Sequence, residues 1–248
     1  MQNYNNPQTL NRYSYCTNNP LIYTDPSGRI VEFENTNQIH ELLLEGPNGP
    51  SWCLVQDYFA LVGAWVSLGT EVPELTSYLE NRPETIVIGS ADLSAKSESG
   101  ETLAFTLIGG NITIDTGTID MGLNVTTAIL GHEALHAAFE VSRVGVTLDS
   151  IAEEAFCYNM QYSLDVALTG SCSNTLAVAC QSFNPWLPVT ELNQQLTGKN
   201  GIKKTLRKGG YGFGYTLWPF GPALGSQDSL IQTARKFFPS PYDFYFYC

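Results

Sequence analysis

The chain has 248 residues, of which 43% are hydrophobic and only 15% are charged. This composition excludes a disordered protein and supplies enough apolar side chains for one sizeable core. The chain carries 24 acidic residues against 12 Lys and Arg, a net charge of −12. That balance argues against nucleic acid or an anionic membrane as the main partner.

The first thirty residues differ in composition from the rest. Residues 1–30 are rich in Asn, Pro and Tyr and show no sustained period of 2 or 3.6. They also lack the basic and apolar segments of an export signal. We therefore expect a chain that does not export itself unaided and whose first thirty residues differ from the remainder.

The next segments are predicted to be helical. Residues 36–46 have apolar side chains at helical spacing and end at a glycine, and 73–83 form another short helix. The longest apolar run, 54–69, is interrupted by Gln56 and Asp57 and is shorter than the roughly 20 residues of a membrane span. It is predicted to be a buried helix.

A change of period marks a small sheet. Residues 84–90 form a short β-branched run, and 102–117 contain two strand-like arms around Gly109-Gly110-Asn111. Helical patterns follow at 124–142, 148–168, 188–197 and 226–238. This order predicts an α+β fold with a small, mainly antiparallel sheet packed on helices.

The basic and thiol side chains receive simple interpretations. Cys172 and Cys180 could close a short disulfide loop or remain free thiols, and no CxxC spacing indicates a structural zinc cluster. Five of the twelve basic residues fall within ten positions, which we interpret as a solvated loop rather than a docking patch. These residues are Lys199, Lys203, Lys204, Arg207 and Lys208.

The segment AILGHEALHAAFE, residues 128–140, contains two of the three histidines. On a helix, His132 and His136 lie on one face, spaced to bind a single zinc ion. Glu133 is then placed as the general base for a water that the metal activates. This H-E-x-x-H spacing is the zinc-peptidase motif. Two histidines packed in a core would be the alternative, but histidine is otherwise nearly absent from the chain.

Catalytic zinc uses three protein ligands and leaves a fourth position to water. No histidine lies downstream of His136, so the third ligand is predicted to be an acid of the following helix. Glu153 and Glu154 lie seventeen and eighteen residues beyond His136. Spacing leaves both open, and the acid that is not a ligand could orient an imidazole by accepting its second N–H.

The order of strand, hairpin, H-E-x-x-H helix and Glu-bearing helix, over roughly residues 84–168, resembles the gluzincin metallopeptidases. The resemblance implies a zincin-like fold. Glu154-Ala155 resembles the Glu-Ala that opens the third-ligand helix of thermolysin-like enzymes, which implies Glu154 as the ligand. Asp149 is a weaker candidate, because a nearby acid serves in deuterolysin-like enzymes. Such enzymes often hold the oxyanion with a histidine or tyrosine, which here implies Tyr158, Tyr211 or Tyr215.

Residues 6–29 closely resemble the end of the RHS-repeat-associated core, which closes the β-cage shell of bacterial polymorphic toxins. The matching pieces are Asn11-Arg12-Tyr13, Asn18-Asn19-Pro20-Leu21 and Asp25-Pro26-Ser27-Gly28. The resemblance implies that 1–30 is a shell remnant or linker and 31–248 the variable toxin domain. Related toxins are often cleaved just beyond this element, but Arg29 stands where many relatives have an apolar residue.

Together these features predict a zinc-dependent endopeptidase effector, secreted or delivered to a target cell as part of a larger bacterial protein. The implied partners are a protein or peptide substrate, the RHS shell in cis and an immunity protein. Two alternatives remain: a zinc amidase acting on the cell wall, and a self-processing or non-catalytic binding module. The intact Glu133 argues against a degenerate site.

Overall fold

The computed structural model describes residues 31–47, 49, 51–94, 103–107, 109–142, 150–199, 201–208 and 227–238. These residues form an α+β fold with ten helices and a small four-stranded sheet. The strands are β1 Val31–Phe33, β2 Ile86–Ala91, β3 Ala104–Thr106 and β4 Ile112–Asp115. The helices are α1 Thr36–Glu45, α2 Trp52–Glu71, α3 Pro73–Glu80, α4 Thr116–Asp120, α5 Leu123–Val141, α6 Ser150–Thr169, α7 Thr175–Cys180, α8 Val189–Thr197, α9 Ile202–Lys208 and α10 Gln227–Ala234.

The sheet is mixed, so the prediction of a mainly antiparallel sheet was wrong. The strand order is β1-β2-β4-β3, and β1–β2 and β2–β4 are parallel pairs. Helices α1–α3 carry the chain back between β1 and β2, and such a crossover makes sequential neighbours parallel. Only the β3–β4 pair is antiparallel. Its strand β3 lies at an edge of the described sheet.

The predicted hairpin is present between β3 and β4. Its turn is closed by a hydrogen bond from the Leu107 N–H to the Asn111 carbonyl at 2.8 Å. Gly110 has a φ of +87°, and a Cβ there would lie 3.1 Å from Val141 Cγ1, so the turn requires a glycine that packs on the end of α5. Asn111 Oδ1 also accepts the Val87 N–H at 2.9 Å, which ties the turn to β2.

The core is formed by the sheet and the three long helices α2, α5 and α6, together with shorter helices. The isoleucines of β2 and β4 are almost completely buried, and α5 packs against α2, α3, α4, α6, β3 and β4. Because α5 is surrounded by other elements, its histidine-bearing segment lies in the interior rather than on an amphipathic surface. The buried isoleucines are Ile86, Ile88, Ile112 and Ile114.

A glycine lets the neighbours of α5 approach closely beside the histidines. A Cβ on Gly131 would lie 2.2 Å from Leu164 Cδ1 of α6 and 3.2 Å from Leu68 Cδ1 of α2. Ala134 and Ala138 of the same helix are fully buried as well. The small residues of α5 therefore bring α6, which carries the acidic residues, close to His132 and His136.

The predicted helices are present, with shifted ends, and the last one is shorter than predicted. The sequence patterns missed β1, α4, α7 and α9. The basic run is not a loop: most of it forms α9, where Ile202 and Leu206, four residues apart, are buried and hold the helix on the core. The basic residues line a groove of about 380 Å³ between the ends of α8 and α9.

Three remaining predictions have simple outcomes. Cys172 and Cys180 are free thiols, and the Cys172 thiol donates to Asp165 Oδ2 at 3.0 Å. No helix among the described residues is long and apolar enough to cross a membrane. The shell-like segment 1–30, including the cleavage position after Gly28, lies outside the described residues.

Candidate metal centre

Helix α5 brings the two predicted histidines to one point in the interior. The Nε2 atoms of His132 and His136 lie 3.2 Å apart, with ring centroids separated by 4.9 Å. His132 is only 6% exposed. Residues four apart face the same side of a helix, so the two lone pairs converge where one ion could bind both.

Helix α6 adds a carboxylate to this point. Glu154 Oε2 lies 3.5 Å from Nε2 of His132 and 3.5 Å from Nε2 of His136. Both contacts are longer than a normal charge-assisted hydrogen bond, and Oε2 is a buried atom without a hydrogen-bond partner among the described residues. A buried carboxylate oxygen between two imidazoles is stabilised by positive charge, which a protonated imidazole or a bound metal ion can supply.

The neighbouring acid Glu153 contacts the other side of His136. Its Oε1 accepts a hydrogen bond from the His136 Nδ1–H at 2.7 Å. With Nδ1–H held by Glu153, Nε2 is the nitrogen of His136 that faces the centre and that a metal would bind. Glu154 thus lies on the Nε2 side of the ring and Glu153 on the Nδ1 side. Asp149 lies outside the described residues.

Cys157 is a further donor that the sequence analysis missed. One donor atom each from His132, His136 and Cys157 lie within 4.8 Å of one another, so this trio could hold a metal. Cys157 stands one helical turn beyond Glu153 on α6, and that spacing is the signal that could have found it. Burial raises the pKa of its thiol to about 12, and the thiol hydrogen-bonds to His136.

Two donor sets are therefore possible. Both contain His132 and His136, and the third metal ligand is either Cys157 or Glu154. Atoms bound to a tetrahedral zinc at about 2.0–2.2 Å lie about 3.3–3.5 Å apart. The two Nε2 atoms and Glu154 Oε2, with separations of 3.2, 3.5 and 3.5 Å, match that spacing. The Cys157 trio is looser, since its donor atoms lie within 4.8 Å of one another. The donor set with Glu154 fits zinc better.

The electrostatics agree with a site that attracts a cation. Burial raises the pKa of Glu154, but the charge of His136 and contacts with both imidazoles lower it to about 2. Burial likewise lowers the pKa of His136, but the surrounding Cys157, Glu154 and Glu153 raise it well above its usual range. A thiol with a pKa of about 12 is neutral at pH 7. At that pH we therefore attribute the raised pKa of His136 to the carboxylates of Glu153 and Glu154.

Glu133, the predicted general base, is buried beside the histidines and touches the edge strand. It is 7% exposed, and its Oε2 accepts a hydrogen bond from Thr106 Oγ1 at 2.6 Å. Thr106 is the last residue of β3, and its hydroxyl also lies 3.0 Å from the Glu133 carbonyl oxygen. The sequence analysis missed this contact, which depends on how β3 packs against α5.

One of the three tyrosine candidates lies against the centre. Tyr158, one turn after Glu154, is buried, and its ring meets the His132 ring edge-on with centroids 4.5 Å apart. Tyr211 and Tyr215 lie outside the described residues. Tyr158 therefore supports the position of His132 through ring packing.

The structure thus brings His132, His136 and Glu154 together, with Glu153, Cys157 and Tyr158 around them. Glu133 follows His132 in α5, is buried and accepts the hydrogen bond from Thr106. The cluster around the two histidines has the donor types of a metal site. Comparison of the chain with protein-family models, with curated proteins and with solved structures finds no match.

Proposed function

We propose that this chain is a zinc-dependent endopeptidase in which His132, His136 and Glu154 bind the metal and Glu133 is the general base. The observation that carries the proposal is the triangle of two Nε2 atoms and one carboxylate oxygen, 3.2 by 3.5 by 3.5 Å, buried beside Glu133. This donor set matches the two-histidine, one-glutamate sites of zinc peptidases.

The roles of the side chains follow from their contacts. When bound, zinc would polarise the scissile carbonyl and make a water acidic enough to lose a proton near neutral pH. Glu133 takes that proton on its carboxylate and passes it to the leaving amine. Glu153 accepts the Nδ1–H of His136 and so fixes the ring orientation in which Nε2 faces the metal.

The position of the sheet favours a peptide as the substrate. Strand β3 is an edge strand of the sheet that the described residues form, and Thr106 at its end contacts Glu133. An extended peptide can add to such an edge through backbone hydrogen bonds, which would align a peptide bond with the base. This is the reason for preferring a protein substrate to other amides.

The biological setting of the proposal rests on residues 6–29. Their resemblance to the end of the RHS core supports a toxin domain at 31–248 that is delivered to a target cell as part of a larger bacterial protein. The proposed partners are the RHS shell in cis, a target protein and an immunity protein. A net charge of −12 disfavours a nuclease, which needs a basic groove along its nucleic acid.

The first experiment is zinc stoichiometry by elemental analysis of the wild type, Glu154→Ala and Glu153→Ala. We expect one zinc per chain in the wild type, loss of zinc in Glu154→Ala and retained but weaker binding in Glu153→Ala. Glu140→Gln, on the same helix as the histidines but hydrogen-bonded to the Gly109 N–H at 3.4 Å, is the control. A folded wild type without zinc would overturn the proposal.

The second experiment assays hydrolysis. Zinc-loaded wild type is incubated with fluorescent casein and, separately, with purified murein, beside Glu133→Gln. Removing a general base typically lowers the rate by about 10² to 10⁴-fold, so casein cleavage should vanish while zinc binding persists. Cleavage of murein instead of casein would assign the centre to a cell-wall amide.

A further inference from the structure

We infer that Thr106 is a positioning residue, which holds the Glu133 carboxylate in the orientation that accepts a proton at the metal centre. This inference rests on the proposed function, and it adds a residue that lies outside the H-E-x-x-H motif. Its basis is the hydrogen bond from Thr106 Oγ1 to Glu133 Oε2, at 2.6 Å.

Thr106 holds one oxygen of the Glu133 carboxylate, Oε2, and leaves Oε1 free to accept a proton. Thr106 Oγ1 has a single proton, and the contact with Oε2 at 2.6 Å is shorter than the one with the Glu133 carbonyl oxygen at 3.0 Å. An O–H to carboxylate bond of this length is of the strong, charge-assisted class. Among the described residues, no other side chain hydrogen-bonds this carboxylate, so Oε1 is the oxygen left for an incoming proton.

The position of Thr106 in the fold explains why it can act in this way. A glutamate side chain has three rotatable bonds, and fixing them before the reaction is how preorganised groups gain efficiency. Thr106 is the last residue of β3, and it pairs with Ile112 of the neighbouring strand β4. The sheet therefore holds the hydroxyl in place, and the hydroxyl holds the base.

A purely structural role for Thr106 makes a different prediction, and a matched residue separates the two. Thr118 Oγ1 donates to the carbonyl of Leu103, just before β3, at 3.1 Å. Thr118→Val removes one buried threonine hydrogen bond to the same segment without touching Glu133. Both valine variants should lose stability, but only Thr106→Val should impair the base.

The test uses cobalt in place of zinc and acetohydroxamate as the probe. Acetohydroxamic acid chelates a metal through two oxygens only after losing a proton, which Glu133 is positioned to receive. Binding to the cobalt-loaded full-length protein is followed by visible absorption, so no substrate is needed. The variants are Thr106→Val, Thr106→Ser, Thr118→Val, Glu133→Gln and the Thr106→Val/Glu133→Gln double variant.

We expect Thr106→Val to weaken acetohydroxamate binding about tenfold, because the Glu133 side chain, without the hydroxyl that holds it, must lose its rotamer freedom when it accepts the proton. Thr106→Ser, which keeps the hydroxyl, and Thr118→Val should bind like the wild type. In the Glu133→Gln background, Thr106→Val should have no further effect, since it acts through the carboxylate. Cobalt stoichiometry should be unchanged throughout.

Wild-type affinity in Thr106→Val, equal weakening in Thr118→Val, or an undiminished effect in the Glu133→Gln background would overturn the inference. Thr106→Ala supplies the same comparison if the valine variant does not fold. Failure of the wild type to take up cobalt or zinc would instead overturn the proposed function, and this inference with it.

Discussion

Glu153 and Glu154 are adjacent in sequence, yet they contact opposite sides of the same imidazole. Glu154 Oε2 faces the Nε2 atoms of both histidines, whereas Glu153 holds Nδ1 of His136. Consecutive residues of a helix point about 100° apart, so two neighbours can serve two positions around one ring. In the proposed site, the pair would therefore combine a metal ligand and the group that orients another ligand within one helical turn.

This arrangement predicts that metal binding releases a proton at neutral pH. The pKa of His136 is raised well above its usual range in the metal-free protein, so the ring carries a proton at pH 7 that a metal must displace. Glu154, with a pKa of about 2, stays ionised and contributes nothing to this dependence near neutrality. Apparent zinc affinity should therefore fall by about tenfold per pH unit below the raised pKa.

The measurement is calorimetric titration with zinc in buffers of different ionisation enthalpy, which counts the released protons. About one proton per zinc is expected at pH 7. Glu153→Gln, which removes a carboxylate beside Nδ1, should lower the pKa of His136 and reduce the number released. Zinc uptake with no proton release at pH 7 would contradict the assigned protonation state.

The thiols offer a second prediction at the scale of residues. Cys157 is fully buried, and burial raises its pKa to about 12, whereas Cys53 is exposed. Because the thiolate is the reactive form, iodoacetamide at pH 8 should modify Cys53 and leave Cys157 intact until the protein unfolds. Peptide mapping by mass spectrometry reads both sites. Modification of Cys157 in the folded protein would mean that the centre is open on its α6 side.

At the scale of elements, the packing of α5 on α6 determines the shape of the centre. Gly131→Ala places a methyl group 2.2 Å from Leu164 Cδ1, so the buried leucine must move. Overpacking lowers the free energy of unfolding by about 1–3 kcal/mol. The higher helix propensity of alanine raises it by up to about 1 kcal/mol. We expect a net loss of about 1 kcal/mol in the free energy of unfolding, with weaker zinc binding.

Gly63→Ala is the matched control for this prediction. Gly63 also lies inside a long helix, but its added Cβ would meet Leu123 Cδ1 at 3.4 Å, an ordinary contact. Propensity should then dominate and stabilise the protein by up to about 1 kcal/mol. Chemical denaturation of both variants measures the two changes. Equal effects at both positions would show that the close approach of α6 is unimportant.

The elements also show which features were predictable from sequence. His132 and His136 are fixed by local helical spacing, and the β3–β4 hairpin by a local turn, so both were predicted. The parallel pairing of β1 and β2 depends on where three helices carry the chain, which no local pattern records. The contact of Thr106 with Glu133 joins residues 27 positions apart through sheet-on-helix packing, and it was missed for the same reason.

The position of Cys157 gives an intermediate case. It follows Glu153 by one helical turn, so helical spacing alone places it on the same face. The H-E-x-x-H motif predicts a histidine or carboxylate as the third ligand and so gives no signal for a thiol. The basic run is similar, because its charges predict a solvated loop while the buried Ile202 and Leu206 among them hold a helix on the core.

At the scale of the whole molecule, the centre belongs to the core rather than to a metal-dependent loop. Helix α5 is buried by apolar residues of α2, α3 and α6, whose packing needs no ion. We therefore expect the protein to keep its helical circular dichroism after treatment with a chelator. Zinc at a hundredfold excess over its Kd should add about 2.7 kcal/mol of stability, which raises Tm by several degrees.

Thermal melts followed by circular dichroism, with and without chelator, measure both effects. His136→Ala should melt at the same temperature in the two conditions, because it removes a ligand. Unfolding of the wild type on removal of metal would contradict a core that folds by its own packing.

The burial of α5 has a kinetic consequence as well. Donor atoms that already lie 3.2–3.5 Å apart need little rearrangement to accept an ion. The rate of zinc capture should then rise in direct proportion to the zinc concentration, as for a simple encounter. A site assembled only on folding would reach a plateau at the rate of chain rearrangement. Loading of the site with zinc would then be limited by the zinc concentration around the protein, and not by the rate at which the protein changes its conformation.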